Sequence, residues 1–216
     1  MITRRCFLFS AALPLVPALI PSVAQALTPG QEYAVIAPPI DTLDPKRVEI
    51  LELFWYGCPH CFTLEPELTA WVKTLPKHAY FRRVPAIFSQ TPHWVPLARA
   101  FYAAEILGLS EKLHYDFFNA IHLSGQNLND REALLKLVQK QGVNRKQFEQ
   151  ALDSPEVNAR LQQSQRFSAA SGAKGVPALV VDGKYQTSLT QAGTPERLFV
   201  TLNELISQAM LSKKPR

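Results

Sequence analysis

The distribution of apolar residues along the chain predicts a β-α-β unit near its beginning. Residues 48–56 are rich in β-branched and aromatic side chains and nearly continuously apolar, which is typical of a central strand buried on both faces. Gly57 interrupts this run, and Pro59 suits the first turn of a helix because its missing N–H is not needed there. Apolar residues then recur at helical spacing until Pro76, and 79–86 predicts a second strand. This order favours parallel pairing of the two strands.

The remaining pattern predicts a long helical segment followed by a return to strands. Between residues 92 and 170 the apolar spacing is helical. Three helix starts in this segment carry capping residues, namely Asp130, Asn144 and Ser154. The strand pattern returns at 178–181, and the turn Asp182-Gly183 before 185–189 predicts a β-hairpin. A last helix is predicted to start at Thr194-Pro195-Glu196.

Together these elements predict an α/β fold with an inserted all-helical domain. We expect residues 27–91 and 171–216 to form one α/β domain and residues 92–170 to form the helical one. Both flanking segments are needed to complete a single sheet and its core. The chain of 216 residues, with 47% hydrophobic and 19% charged residues, is long enough to bury such a core.

The first 26 residues have the pattern of a cleaved export signal. Arg4 and Arg5 precede an apolar stretch at 7–20, and Ala24-Gln25-Ala26 offers small residues where a signal peptidase cuts. An uncleaved anchor is the alternative, but the stretch is shorter than the ~20 apolar residues of a membrane span and contains two prolines. The basic pair also resembles a twin-arginine signal, so two export routes stay open.

The net charge does not favour a nucleic-acid partner. The chain has 23 Lys and Arg against 18 Asp and Glu, a formal charge of +5. Removal of Arg4 and Arg5 with the signal leaves 21 against 18, or +3, without a long basic run.

Removal of the signal also changes the meaning of the cysteines. It discards Cys6 and leaves Cys58 and Cys61 in an exported, oxidising compartment where a disulfide persists. A bridge across so short a loop constrains the unfolded chain little, so a redox pair explains it better than a structural disulfide. A structural zinc site is a third interpretation, but it needs four ligands and the other candidates are scattered histidines. We therefore expect no metal.

The spacing Cys58-Pro59-His60-Cys61, between a strand and a helix, indicates thiol redox chemistry. Cys58 is expected at the N-cap, where unpaired N–H groups and the helix dipole favour a thiolate. His60 lies in the same turn and can add a donor or a positive charge. Cys61, one turn into the helix, is expected to be more shielded and to resolve a mixed disulfide.

Two segments resemble the DsbA family of periplasmic thiol–disulfide oxidoreductases. Residues 54–62 (Phe-Trp-Tyr-Gly-Cys-Pro-His-Cys-Phe) resemble its redox motif, and 175–181 (Gly-Val-Pro-Ala-Leu-Val-Val) resemble its Val–cis-Pro loop. The helical segment between them matches the family's inserted domain in position and length, and the resemblance covers 31–210. It implies a thioredoxin fold with an inserted helical domain.

The resemblance also implies roles for individual residues. Cys58 would be the exposed nucleophile and Cys61 the buried resolving thiol. Pro177 would be in cis beside the disulfide, with an ordinary trans turn proline as the alternative. Val176 would offer its backbone to an extended substrate chain, a recognition mode that reads little side-chain sequence.

Three charged residues are expected around the cysteines. Glu52 lies inside an apolar strand, and in the family a buried acid at this place tunes the site and helps proton transfer. The alternatives are a strand-edge acid that reaches solvent or one paired with Arg83. Glu65 resembles a further acid of this cluster, and an exposed helix carboxylate is equally compatible with the pattern. The family often has a lysine here, whereas this chain offers Arg82 and Arg83, which cannot release a proton.

An apolar groove for unfolded chains is a further interpretation of Phe88, Trp94 and Val95, and packing between the domains is the more ordinary one. The histidines outside the redox motif receive no role from the sequence.

The sequence therefore predicts an exported, monomeric enzyme that donates its disulfide to proteins with free thiols. We expect the enzyme to require no metal and no organic cofactor, and to bind no nucleic acid. The family implies a periplasmic location and reoxidation by a quinone-linked membrane partner of the DsbB type. A reductase or isomerase with the same fold is the alternative enzyme, and a non-enzymatic metal or peptide binder is the alternative outside catalysis.

Overall fold

The computed structural model describes residues 27–213, which form a five-stranded sheet with flanking helices. The strands are β1 (Ala34–Val35), β2 (Val48–Phe54), β3 (Ala79–Pro85), β4 (Ala178–Val181) and β5 (Tyr185–Ser188). The helices are α1 (Pro59–Val72), α2 (Val95–Ile106), α3 (Ser110–His122), α4 (Arg131–Lys140), α5 (Arg145–Leu152), α6 (Pro155–Ala170), α7 (Leu189–Ala192) and α8 (Pro195–Lys213). One 3-10 turn covers Pro92–Trp94. The expected signal segment 1–26, including Cys6, lies outside the described residues.

Strand β2 is an interior strand of the sheet, between β4 and β3 in the order β1-β5-β4-β2-β3. All seven of its residues are buried, as expected for a strand covered on both faces. It pairs in parallel with β3 through the crossover helix α1, and antiparallel with β4, where Leu51 lies opposite Val180. The helices α2–α6 therefore interrupt a sheet that is completed on their far side. This confirms the α/β fold with a helical insertion, while the borders placed at 91/92 and 170/171 stay a prediction.

Three predicted strand ends are wrong by one or two residues. The strand predicted at 79–86 ends at Pro85. The strand predicted at 48–56 ends at Phe54, because the Cys58 N–H donates to the Trp55 carbonyl (2.9 Å) and closes a turn. The strand predicted at 185–189 ends at Ser188, whose side chain accepts the Gln191 N–H and caps the short helix α7. Strand β1 was not predicted because two residues carry no readable alternation.

The predicted capping residues are confirmed. Asp130 accepts the N–H groups of Glu132 and Ala133, and the Asn144 side chain accepts that of Gln147. Ser154 accepts the N–H of the third residue of α6 in the same way. Each side chain satisfies a backbone donor that the first turn of a helix leaves unpaired.

The predicted hairpin between β4 and β5 is also confirmed. Asp182 and Gly183 both have positive φ, 53° and 64°, as a two-residue hairpin turn requires. Gly183 is needed for a second reason, since a Cβ there would overlap the Ile40 carbonyl. The Gly183 carbonyl accepts the Ile40 N–H (2.9 Å) and so fastens the segment that follows β1.

The apolar clusters show that the end of β2 lies where the sheet meets the inserted helices. Leu64 and Leu68 of α1 pack with Leu198 and Leu202 of α8 in one cluster on the sheet. A separate cluster contains the buried side chains of helices α2–α6 together with Phe54, Tyr56, Cys58 and Cys61. The cysteine pair is thus packed against the inserted helices as well as the sheet. Among residues 27–213, none of the helices is both long and apolar enough to span a bilayer.

Candidate active site

The turn between β2 and α1 places Cys58 at the start of the helix. Cys58 is the N-cap residue of α1, with extended backbone angles (φ −86°, ψ 116°), and Pro59 follows at the first helical position. The Cys61 N–H donates to Cys58 Sγ at 3.4 Å. The predicted N-cap position is therefore confirmed, and a first-turn amide that has no partner within the helix meets the sulfur instead.

This environment makes the Cys58 thiol acidic. Its pKa is lowered from 9.0 to about 6 by hydrogen bonding from the Cys61 side chain, then by the backbone N–H groups of Cys61 and His60 and by the His60 side chain, while burial acts against them. Each of these groups stabilises the thiolate more than the thiol. A pKa of about 6 favours the thiolate form of Cys58 at neutral pH.

The expectation of an exposed Cys58 is wrong. The residue is only 6% exposed, because it packs within the cluster that also contains Phe54 and Tyr56 and lies beneath Val176. Its neighbours Pro59 and His60 are exposed. A reacting sulfur would therefore approach Cys58 beside these two residues.

Cys61 has the opposite character. It is 1% exposed, and burial together with its interaction with Cys58 raises its pKa well above 9.0. Both cysteines carry free thiols in this structure. The pair thus consists of one acidic sulfur near the surface and one buried sulfur that holds its proton.

The loop before β4 lies directly against Cys58. The Val176–Pro177 peptide bond is cis, as expected, and the Cys58 thiol donates to the Val176 carbonyl at 3.4 Å. A second cis bond, Ala37–Pro38, was not predicted. A cavity of about 570 Å³ opens beside the loop. Its lining includes His60, Lys174, Val176, Pro177, Gln186 and Gln191.

A buried ion cluster lies beneath the cysteines. Arg83 places Nε 3.2 Å from Glu52 Oε2 and Nη2 2.5 Å from Glu65 Oε1. Glu52 is 1% exposed and Glu65 2%. Of the alternatives for Glu52, pairing with Arg83 is therefore observed and a solvent-facing carboxylate is not, and the exposed alternative for Glu65 is wrong.

The two carboxylates differ in acidity. Burial raises the pKa of Glu52 from 4.5 to about 8, with Arg83 acting against it and Glu65 adding to it. Burial also acts to raise the pKa of Glu65, but contact with His114 and the charge of Arg83 outweigh it, and the pKa lies below 4.5. Glu65 is thus the charged partner of Arg83, and Glu52 holds a proton at neutral pH.

Arg82 belongs to a different cluster. Successive side chains of a strand point to opposite faces, and Arg82 accordingly pairs with Glu49 at 2.9 Å on the other side of β3. Of the two arginines considered in place of the family's lysine, only Arg83 reaches the cysteines' surroundings.

The sequence missed two histidines of helix α3. His114 Nδ1 lies 2.9 Å from the Tyr56 hydroxyl and its Nε2 lies 3.3 Å from Glu65 Oε2. His122 Nε2 lies 2.8 Å from the Tyr56 carbonyl oxygen. The available signal was their spacing, since positions 114, 118 and 122 share one helix face and Phe118 between them is fully buried.

The residues proposed as an apolar groove pack instead on the redox turn, which is the segment 55–58 between β2 and α1. Trp94 stacks on Trp55 with ring centroids 4.6 Å apart and planes 7° apart, and Phe88 meets the edge of Trp94 at 5.8 Å. Phe88, Trp94 and Val95 are half-buried and pack against the apolar clusters. This favours the packing interpretation. In the part of the chain that the structure describes, no three His, Cys, Asp or Glu side chains are grouped as a metal site.

The fold and the cysteine pair define a class of protein, the thiol–disulfide oxidoreductases with a thioredoxin fold. A family model described as "DSBA-like thioredoxin domain" matches residues 72–198. The thiol:disulfide interchange protein DsbA of Pseudomonas syringae pv. tomato is 33% identical over 213 residues, covering 97% of this chain and 98% of that protein. The DsbA of Azotobacter vinelandii is 34% identical over 190 residues, covering 86% and 88%.

Solved structures agree with these relatives. The crystal structure of Pseudomonas aeruginosa DsbA superposes with a TM-score of 0.83 at 31% identity, covering 88% of this chain and 97% of that one. The chain belongs to the DsbA family, and it is a protein thiol–disulfide oxidoreductase.

Proposed function

We propose that this enzyme is the disulfide donor of an exported compartment, with Cys58 as its reacting sulfur and Cys61 as its resolving sulfur. One observation carries the proposal: the pKa of Cys58 is lowered to about 6, while that of its buried partner Cys61 is raised well above 9.0. A thiolate that is stable in the reduced enzyme makes the disulfide a good oxidant.

The reaction proceeds through a mixed disulfide. A substrate thiolate attacks the Cys58 sulfur of the Cys58–Cys61 disulfide, so that one S–S bond forms and the Cys61 sulfur leaves with the electron pair. Cys61 then takes up a proton, as its raised pKa favours. A second substrate thiolate attacks the substrate sulfur and expels Cys58 as a thiolate. Two electrons pass to the enzyme, and the substrate gains one disulfide.

The direction of transfer follows from the acidity of Cys58. At pH 7 a cysteine of pKa about 6 is mostly ionised, whereas one of pKa 9.0 is not. Ionisation lowers the free energy of the reduced enzyme by about 1.4 kcal/mol. This favours the reduced enzyme and raises the reduction potential by about 30 mV. The reduction potential also depends on the free energy of the disulfide form. Equilibration with glutathione, described below, measures both forms together and so separates a disulfide donor from a reductase.

Substrate recognition is proposed to use the backbone of Val176. Its carbonyl lies 3.4 Å from Cys58 Sγ, so a chain extended along this loop would bring its own sulfur to Cys58. Pairing through main-chain groups reads few side chains. Substrates are thus proposed to be unfolded or partly folded exported proteins with free thiols.

The cellular setting is part of the proposal. The segment 1–26 has the pattern of an export signal, and an oxidising compartment such as the periplasm permits the Cys58–Cys61 disulfide to persist. Reoxidation is proposed to come from a quinone-linked membrane protein of the DsbB type. The enzyme is proposed to act as a monomer, with no metal or organic cofactor.

Equilibration with glutathione tests the donor assignment. We expect the oxidised protein to convert a reduced dithiol peptide to its disulfide stoichiometrically, and a potential well above thioredoxin's ~−270 mV. The Cys58→Ser variant should be inactive. Cys61→Ser cannot form the intramolecular disulfide, so it should not oxidise the dithiol peptide but should form a mixed disulfide with an activated disulfide probe. A potential near thioredoxin's would make the enzyme a reductase, and oxidation retained in Cys58→Ser would remove the proposed nucleophile.

A further inference from the structure

Helix α3 contacts a single residue of the redox turn from two sides. His122 Nε2 lies 2.8 Å from the Tyr56 carbonyl oxygen, and because a carbonyl only accepts hydrogen bonds, this nitrogen carries the proton. His114 Nδ1 lies 2.9 Å from the hydroxyl at the other end of Tyr56. The residue two positions before Cys58 is therefore held at its backbone and at its side chain.

The same two histidines also contact helix α1, which follows the turn. The His122 ring stacks on Phe62, with centroids 4.8 Å apart and planes 12° apart. His114 places Nε2 3.3 Å from Glu65 Oε2. Since that neighbour is a carboxylate, the neutral ring carries its proton on Nε2 and Nδ1 accepts from the Tyr56 hydroxyl. Each histidine thus joins Tyr56, two positions before Cys58, to the helix that follows Cys58.

We propose that His114 and His122 are positioning residues for thiol–disulfide exchange. They fix the segment that follows β2 relative to the first turns of α1, and this arrangement points backbone N–H groups at Cys58 Sγ. The inference rests on the proposed function in one respect, that Cys58 is the reacting sulfur. It assigns to the inserted helices a direct part in the chemistry of the cysteine pair.

The turn depends on such support from outside. Its internal closure is one hydrogen bond, from the Cys58 N–H to the Trp55 carbonyl. Gly57, between Tyr56 and Cys58, has no side chain that could pack and restrict the backbone. The orientation of the peptide group that joins Tyr56 to Gly57 is then set by what its carbonyl contacts, which is His122.

The contact with His114 lies deep in the protein. Tyr56 is 2% exposed and His114 is 7% exposed. A hydrogen bond between buried side chains is costly to break, because each group would be left without a partner. The Tyr56 hydroxyl therefore keeps one position relative to Glu65 and α1.

The reduction equilibrium with glutathione tests the inference, together with the ultraviolet absorbance of the Cys58 thiolate. In His122→Leu, which removes the N–H donor, we expect the equilibrium constant for oxidising glutathione to fall about three- to tenfold, the effect of one hydrogen bond of ordinary strength. His122→Gln, which can place an N–H near the same point, should restore it to within about twofold of wild type.

A double-mutant cycle isolates the buried contact. Tyr56→Phe and His114→Phe should each lower the same constant, and the double variant should be no worse than the poorer single one, since both remove one hydrogen bond. His78→Leu is the matched control, because the His78 side chain makes no polar contact among residues 27–213. It should leave the constant unchanged.

A purely structural role would give a different result. His122→Leu and His114→Phe would then lower the melting temperature while the folded variants kept the wild-type equilibrium constant, and this would overturn the inference. If Cys58 of the wild type titrated near 9, the proposed function would fail, and the constants of the variants would still decide the role of the histidines.

Discussion

Glu52 and Arg83 occupy directly opposed positions of the parallel strands β2 and β3, and their side chains meet at 3.2 Å within the protein. The same guanidinium also contacts Glu65. One positive charge thus serves two buried carboxylates, and the pKa values separate: that of Glu65 is lowered and that of Glu52 is raised to about 8. Since arginine does not release its proton, Glu52 is the member of this cluster that titrates near neutral pH.

The stability of the oxidised protein should fall as the pH rises toward 8. The pKa of Glu52 is 4.5 when unperturbed and about 8 in the folded chain, so between these values the unfolded chain has lost a proton that the folded chain still holds. Within this window the free energy of unfolding should decrease by up to ~1.4 kcal/mol per pH unit. Glu52→Gln should remove that contribution.

Urea unfolding of both oxidised proteins across this window measures the difference, because the cysteines do not titrate in the disulfide form. The expected result is that Glu52→Gln gains stability relative to wild type as the pH rises. Parallel stability curves for the two proteins would contradict the raised pKa of Glu52.

Removing the shared guanidinium should be much more costly than removing an exposed one. Arg83→Met leaves the charged carboxylate of Glu65 buried without its guanidinium partner and removes the contact with Glu52, which should lower the free energy of unfolding by about 3–5 kcal/mol at neutral pH. The matched control is Arg131→Met, since Arg131 also contacts two carboxylates but is 44% exposed. It should cost no more than about 1 kcal/mol. Equal losses in chemical denaturation would show that burial does not govern the cluster.

The acidity of Cys58 should depend on the donor at position 61. The largest cause of the lowered pKa of Cys58 is hydrogen bonding from the Cys61 side chain. Cys61→Ala should therefore raise the pKa of Cys58 from about 6 by about one unit. Cys61→Ser keeps a hydroxyl donor and should shift the pKa less. The pH dependence of alkylation by iodoacetamide reports both, and identical profiles for the two variants would refute this assignment.

Gly57 should tolerate no side chain. A Cβ at this position would overlap the six-membered ring of Trp55, which is stacked on Trp94. Gly57→Ala should displace that ring, lower the free energy of unfolding by about 1–3 kcal/mol and change the tryptophan fluorescence. Gly175→Ala is the control, because a Cβ there meets no atom within 4 Å. A fluorescence spectrum unchanged in Gly57→Ala would show that the stack does not depend on this glycine.

Much of the fold could be predicted from local patterns. The continuous apolar run of β2, the capping residues Asp130 and Asn144, and the turn Asp182-Gly183 each act through neighbours in sequence, so the sequence contains their signal. The N-cap position of Cys58 was predictable for the same reason. By contrast, the two-residue strand β1 exists only through its pairing with β5.

The site was less predictable where its contacts join distant segments. His114 and Tyr56 are 58 residues apart, and their hydrogen bond arises from the packing of α3 on the redox turn. The burial of Glu65 follows from the same packing, since its position on α1 alone suits an exposed carboxylate equally well. The exposure of Cys58 was overestimated because the loop that covers it is supplied by Val176, more than a hundred residues away.

Strand β4 lies late in the chain, and its position determines how much of the chain must be synthesised before the enzyme can be active. Leu51 pairs with Val180, so the centre of the sheet joins segments that the entire helical insertion separates, and such long closures form slowly. A truncated chain that stops before Val176 would contain both cysteines but lack the Val176 loop and the completed sheet. Its sulfurs would behave like those of any flexible peptide, and oxidising power would emerge only with the last fifth of the polypeptide.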